Sequence, residues 1–227
     1  MRVLLTGFPD TNKKAEAYLD SYGHKSVHCP MQEMQLIPGS VKLLGKSDWV
    51  IFTSPSAVRL YMQHLYPLNP FDKAACVGPA TAEALEDDYA RACSLMPDND
   101  YSSCSLAAKI LSNKDKFESK RVLFPCSELA GVELEECLSQ SGLKVHRYDF
   151  YRPVKRDIDT LPDFDAVAFF SSSGVEAFFS HQKKVDLTTK KLAVIGESTA
   201  ETLRQYYDGD FAVANKASAE ETVKVLC

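Results

Sequence analysis

The feature that most constrains this chain is a recurring segment: a short apolar run, a turn of small polar residues, then an amphipathic stretch. Arg2–Thr6 leads into Lys13–Tyr22, which stops at Gly23. Trp49–Thr53 passes through Ser54-Pro55-Ser56 into Ala57–Leu65, and Ala74–Val77 passes through Gly78-Pro79 into Ala80–Asp88. The second half repeats the order. Arg121–Phe124, Ala166–Phe170 and Lys191–Ile195 are each followed by a turn and a helical pattern. Strands alternating with helices of this length predict an α/β protein built on parallel sheets.

The repetition has a fixed offset. Arg2-Val3-Leu4 matches Arg121-Val122-Leu123 at 119 residues, and Leu19 and Gly23 match Leu138 and Gly142 at the same distance. Asp48, Val50, Phe52, Ser54, Ser56 and Val58 match Asp165, Val167, Phe169, Ser171, Ser173 and Val175 at 117. Gly78–Leu85 matches Gly196–Leu203 at 118. Ordered blocks at nearly one offset indicate an internal duplication, whereas a solenoid needs several shorter periods. Two similar α/β lobes are expected.

Composition removes several classes of function. With Lys plus Arg at 26 and Asp plus Glu at 31, the net charge is −5, which argues against a broad basic surface for nucleic acid. No run of about 18 apolar residues is present, so no membrane span is expected. The segment Met1–Gly7 reaches a turn too early for a signal-peptide core, so a cytoplasmic protein is expected. Seven cysteines, an odd number with no C-x-x-C pair, read as small buried hydrophobes in a reducing compartment rather than a disulfide framework. His24 and His28 have ligand spacing, but they lie on a strand-like segment with no third ligand nearby, and no metal is expected.

In open parallel sheets, ligands sit beyond the carboxyl ends of the strands, where the first N–H groups of each following helix lack partners. Hydroxyl- or glycine-bearing turns stand there at Thr53-Ser54, Gly78 to Thr81, Ser127, Ser171 to Gly174 and Gly196 to Thr199. They read either as neutral donor nests for anions or as ordinary helix N-caps. No G-x-G-x-x-G, P-loop or G-x-S-x-G pattern is present, and no histidine stands in a triad-like arrangement. The chemistry to expect is hydrogen bonding and positioning, without a strong nucleophile.

Six segments in order resemble uroporphyrinogen-III synthases. They are Ile51–Val58, Val77–Ala82, Leu123–Cys126, Tyr148–Tyr151, Phe169–Gly174 and Ala193–Ala200, and the likeness runs from Arg2 to Ser218–Glu221. The resemblance implies a cofactor-free, cytosolic, monomeric enzyme of tetrapyrrole biosynthesis. It would close hydroxymethylbilane, with inversion of ring D and loss of water, to uroporphyrinogen III. It also implies two lobes joined by two extended linkers, with the site in a cleft. A discontinuous terminal lobe would take residues 1–31 and 157–227, a central lobe residues 36–150, and the linkers 32–35 and 151–156.

By motif position, the resemblance makes Ser54, Thr81, Ser171, Ser198 and Thr199 substrate-binding hydroxyls, joined by the backbone N–H groups of Gly78 and Gly196. Tyr151 takes the place of the family's cleft tyrosine, as an acid or as a packing residue between lobes. Lys191 fits a basic position before the last strand or a solvated strand end. Ser56 stands where arginine is frequent, and Glu197 where proline is frequent. The substrate is a flexible polycarboxylate whose hydroxymethyl group leaves readily with help from the pyrrole nitrogen. Catalysis by orientation suits it. The competing reading is a non-catalytic two-lobed module for carboxylate or phosphate ligands.

Overall fold

A parallel strand buried on both faces needs apolar residues on both, and the runs Val3–Leu5, Val50–Phe52 and Ala166–Phe169 supply them. The computed structural model describes residues 1–181 and 185–227. Along the chain lie β1 (Arg2–Leu5), α1 (Pro9–Ser21), β2 (Lys25–His28), β3 (Gln32–Leu36), β4 (Ser47–Phe52), α2 (Pro55–Leu60), β5 (Phe71–Cys76) and α3 (Pro79–Tyr89). Then come α4 (Ser103–Leu111), β6 (Val122–Ser127), α5 (Glu133–Gln140), β7 (Val145–Lys155), β8 (Ala166–Phe169) and α6 (Ser172–His181). Last are β9 (Lys191–Val194), α7 (Glu197–Leu203), β10 (Ala212–Val213) and α8 (Ala219–Lys224). The stretch expected as one helix to Leu65 changes winding at Tyr61, where the Tyr66 N–H reaches back to the Tyr61 carbonyl in a π-type turn.

The chain divides into two compact units. The first is Met1–Glu33 with Val154–Cys227, and the second is Met34–Pro153. In the first, five parallel strands stand in the order β2-β1-β8-β9-β10. Alternate residues feed opposite faces. Leu4, Val167 and Phe169 enter one core, and Val3, Leu5, Ala166 and Ala168 enter the other, where small side chains let α1 and α8 lie close. In the second unit the order is β3-β7-β6-β4-β5, with a parallel bridge from Ala75 to Leu95 beyond β5. Trp49 and Ile51 face one core there, and Val50 and Phe52 the other.

Laid over the sequence repeat, the two sheets share one plan with the chain cut differently. β6 answers to β1, the first half of β7 to β2, β4 to β8, β5 to β9, and the Leu95 segment to β10. The first unit therefore runs 2-1-3-4-5 in its own order, a doubly wound sheet, and the second is its circular permutation. Each half of the sequence repeat contributes its strand-helix-strand to one unit and the rest to the other. The crossings run through β3 and β7, which are neighbours in the second sheet. They run antiparallel: Ile37 N–H bonds the Phe150 carbonyl at one end, and Arg156 N–H bonds the Met31 carbonyl at the other. The segments 32–35 and 151–155 are thus strands rather than bare linkers.

Candidate active site

Doubly wound sheets open a crevice where successive crossovers leave in opposite directions. In the second unit that point lies between β4 and β6. Ser54, just past β4, is the N-cap of α2, and its Oγ accepts the Ala57 N–H at 3.1 Å. Across from it, β7 is irregular. Cys126 pairs with Asp149 but Ser127 pairs with Tyr151, so Phe150 is the extra residue of a bulge. The bulge lets both Phe150 and Tyr151 enter the same core. Tyr151 is 4% exposed, and its hydroxyl lies 3.1 Å from Ser54 Oγ. Burial pushes the phenol pKa above its ordinary value, and the bond from Ser54 opposes part of that rise. The phenol is therefore protonated at neutral pH, a proton donor rather than a base.

The Gly78 turn begins α3. Its backbone is extended, so the missing side chain serves space rather than torsion: a Cβ there would lie 2.9 Å from Tyr101 Cβ and 3.0 Å from its Cγ. Tyr101 thereby lies against the helix N-terminus while remaining 47% exposed. Pro79 has no N–H, and those of Thr81 and Ala82 turn back to the Gly78 carbonyl. Thr81 is only 2% exposed.

In the first unit the corresponding crevice lies between β1 and β8. Ser171 Oγ accepts the Gly174 N–H at 3.0 Å, repeating the Ser54 cap. Ser172 Oγ donates to the Ser198 carbonyl at 3.0 Å and lies 3.3 Å from Ser198 Oγ, joining the turns after β8 and β9. Ser173 Oγ donates to Gln32 Oε1 at 3.0 Å. Gly196 leads α7 with nothing within 4 Å of the position a Cβ would take. Thr199 is 3% exposed. Glu197, whose charge would repel a carboxylate ligand, is paired with Arg204 Nη1 at 2.7 Å.

The structure thus gathers Ser54 and Tyr151 in one unit, with Gly78 and Thr81 at the same strand ends. In the other unit it gathers Ser171 and Ser198, with Gly196 and Thr199 heading the adjoining helix. Lys191 does not join them. It is the first residue of β9, at the amino edge of the sheet, and its Nζ bonds the Leu226 carbonyl at 3.0 Å.

Sequence reasoning missed three residues. Gln32 is the polar partner of Ser173. Gly7 closes the β1–β8 crevice, where a Cβ would meet Phe170 Cδ2 at 2.8 Å and Asn12 Oδ1 at 2.9 Å; that oxygen is buried and unpartnered. Arg152 follows Tyr151, and its Nε is buried without a hydrogen-bond partner. Among the described residues no hydrogen bond or ion pair engages its guanidinium. Its donors are therefore left without an acceptor in the structure. The only sequence signal was its place beside Tyr151.

Two doubly wound units of one plan, with hydroxyl- and glycine-bearing turns at the carboxyl ends of their strands, define a two-unit α/β protein. The model of uroporphyrinogen-III synthase HemD (HEM4) matches residues 13–224, and the chain belongs to that family of cyclising lyases in porphyrin biosynthesis. It is 27% identical over 225 residues to the chloroplastic uroporphyrinogen-III synthase of Oryza sativa subsp. japonica, covering 90% of this chain and 72% of that protein. It is 22% identical over 249 residues to the porphyrin biosynthesis protein HemD of Ruminiclostridium josui, covering 99% of this chain and 48% of that one, about half its length. The crystal structure of uroporphyrinogen-III synthetase from Helicobacter pylori 26695 shares the fold, with a TM-score of 0.61 at 17% identity over 100% of this chain and 98% of that one. Among the described residues no helix is long and apolar enough to cross a membrane.

Proposed function

We propose that this chain closes hydroxymethylbilane to uroporphyrinogen III, with Tyr151 as the proton donor. The observation that carries this reading is the buried, protonated phenol bonded to Ser54 at the carboxyl end of β4. The pyrrole nitrogen expels the hydroxymethyl oxygen as hydroxide, and a proton from Tyr151 turns it into water. General-acid help of this kind contributes typically about 10²- to 10⁴-fold. Ser54 then stabilises the phenolate by donating its own hydroxyl proton in a hydrogen bond, since its oxygen is already fixed as the α2 cap.

The remaining task is to present the substituted carbon of ring D rather than the free one, which is a matter of orientation. The substrate's many carboxylates call for many donors, and each unit offers a set. One comprises Gly78, Thr81 and Arg152, and the other Ser171, Gly196, Ser198 and Thr199. We read the protein as cytosolic and monomeric.

Freshly generated hydroxymethylbilane given to the purified protein should yield mainly the III isomer by chromatography. Isomer I alone, at the spontaneous rate, would falsify the enzymatic reading. Retained affinity for uroporphyrin in that case would support the binding module.

A further inference from the structure

Away from these turns, the free thiols differ in their surroundings. Cys104 and Cys227 are exposed, Cys76 is buried and Cys93 is half-buried. Cys76 ends β5. Cys93 lies in the segment that returns from α3 to bridge β5 at Ala75 and Leu95. The Leu95 carbonyl accepts both the Cys76 backbone N–H at 2.9 Å and the Cys93 thiol at 3.3 Å. Both cysteines are therefore anchored on one atom, and both side chains pack in the same core, Cys76 within it and Cys93 against it.

Cys93 also faces solvent. It lines an open depression of about 340 Å³ with Pro79, Ala82 and Glu86, large enough for a small oxidant. The neighbouring Cys76 thiol draws the Cys93 thiol below its ordinary pKa, against burial and the nearby Glu86 carboxylate. The Cys76 thiol is pushed up by its thiol neighbour and by burial. One sulfur is thus reachable and disposed to ionise, while its neighbour is held as a protonated reserve.

We propose that Cys93 and Cys76 form a reversible dithiol–disulfide site, in which hydrogen peroxide oxidises Cys93 and Cys76 resolves the product. The Cys93 thiolate attacks one peroxide oxygen, the O–O bond breaks, and the departing hydroxide takes up a proton to leave as water. Cys93 becomes a sulfenic acid. The Cys76 sulfur then attacks the Cys93 sulfur. Its thiol proton joins the displaced hydroxide as a second water, and the S–S bond forms. The two thiols lose two electrons and the peroxide gains them. The new bond ties the end of β5 to the segment behind α3, next to the turn that carries Gly78 and Thr81.

The wild-type chain serves for the main test, which does not depend on any variant folding. It is treated with hydrogen peroxide, alkylated, digested without reductant and mapped by mass spectrometry. The expected result is a peptide pair joined through Cys76 and Cys93 that dithiothreitol separates. Alkylation of Cys93 should fall by roughly tenfold or more, as a thiol consumed in a disulfide no longer reacts. In Cys93→Ser, the same treatment should leave Cys76 reduced. Recovery of Cys93 unlinked to Cys76, as thiol or sulfinic acid, after Cys104 and Cys227 have been oxidised overturns the proposal.

Discussion

The 119-residue offset that relates Arg2 to Arg121 also relates Gln32 to Tyr151, and the 117-residue offset relates Ser54 and Ser56 to Ser171 and Ser173. At the matched crossings the two units make related but shifted contacts: Tyr151 with Ser54, the first serine of its turn, and Gln32 with Ser173, the counterpart of Ser56 rather than of Ser54. The chemistry differs. The phenol is buried and holds an ionisable proton, whereas the amide only donates and accepts hydrogen bonds without ionising. The neighbouring turns differ as well. Tyr101 occupies the space over Gly78, while that over Gly196 is open. Duplication supplied two frames of one kind, and side-chain divergence put a phenol at one crossing and an amide at the other.

The strongest way to break this comparison is to remove the phenol hydroxyl. Tyr151→Phe keeps the ring and its packing, and should lower kcat on the order of 10²-fold or more, read in a coupled assay of isomer III. Gln32→Ala should act on KM by roughly 2- to 10-fold, the scale of one neutral hydrogen bond. Near-normal kcat in Tyr151→Phe would remove the asymmetry. Because burial raises the phenol pKa above its ordinary value of about 10, kcat should show no loss from phenol ionisation up to about pH 9. A descending limb below pH 9 that vanishes in Tyr151→Phe would contradict that assignment.

Arg152 comes next. If its guanidinium takes a substrate carboxylate, Arg152→Gln should lower kcat/KM by about 10- to 100-fold, mainly through KM. Arg152→Lys should restore part of it, as a point charge without the planar fork. Since Nε has no partner to lose, the melting temperature should not fall in Arg152→Gln, whereas an arginine serving only the fold would lower it.

The glycine turns sharpen the contrast in stability. Gly78→Ala must displace Tyr101 and should cost about 1–3 kcal/mol in urea unfolding. Gly196→Ala, with open space, should stay within about 0.5 kcal/mol. Equal costs would mean that Tyr101 yields freely. The smallest effects belong to single hydroxyls. Ser198→Ala and Thr81→Ala should each slow kcat/KM by roughly 2- to 15-fold, and a larger loss would show one donor dominating.

Much of the fold was legible because apolar runs and turn residues are local. The strand-turn-helix units and their repetition at one offset stand in the sequence. The exchange of strand-helix-strand segments does not, because periodicity carries no record of which strands become neighbours. The return strand near Leu95 is a single bridge, too short to leave a pattern. For the site, the capping serines Ser54 and Ser171 were readable as turn chemistry. Motif position does not register strand direction: Lys191, the first residue of a parallel strand, lies at the edge away from those turns. Arg152 and Gln32 were invisible, since an unpartnered guanidinium or a cross-sheet amide exists only once the chain is folded.

The permuted halves set a rule for how such a gene could have grown. A half-length ancestor ending near residue 118 would hold strands of both sheets and the whole of neither. It could complete a sheet only by lending its first strand-helix-strand to a second copy, the reciprocal trade of a domain-swapped dimer. Joining two such copies end to end turns a concentration-dependent partnership into a permanent one, and frees each copy's residues to drift apart, as glutamine and tyrosine have at the matched crossings.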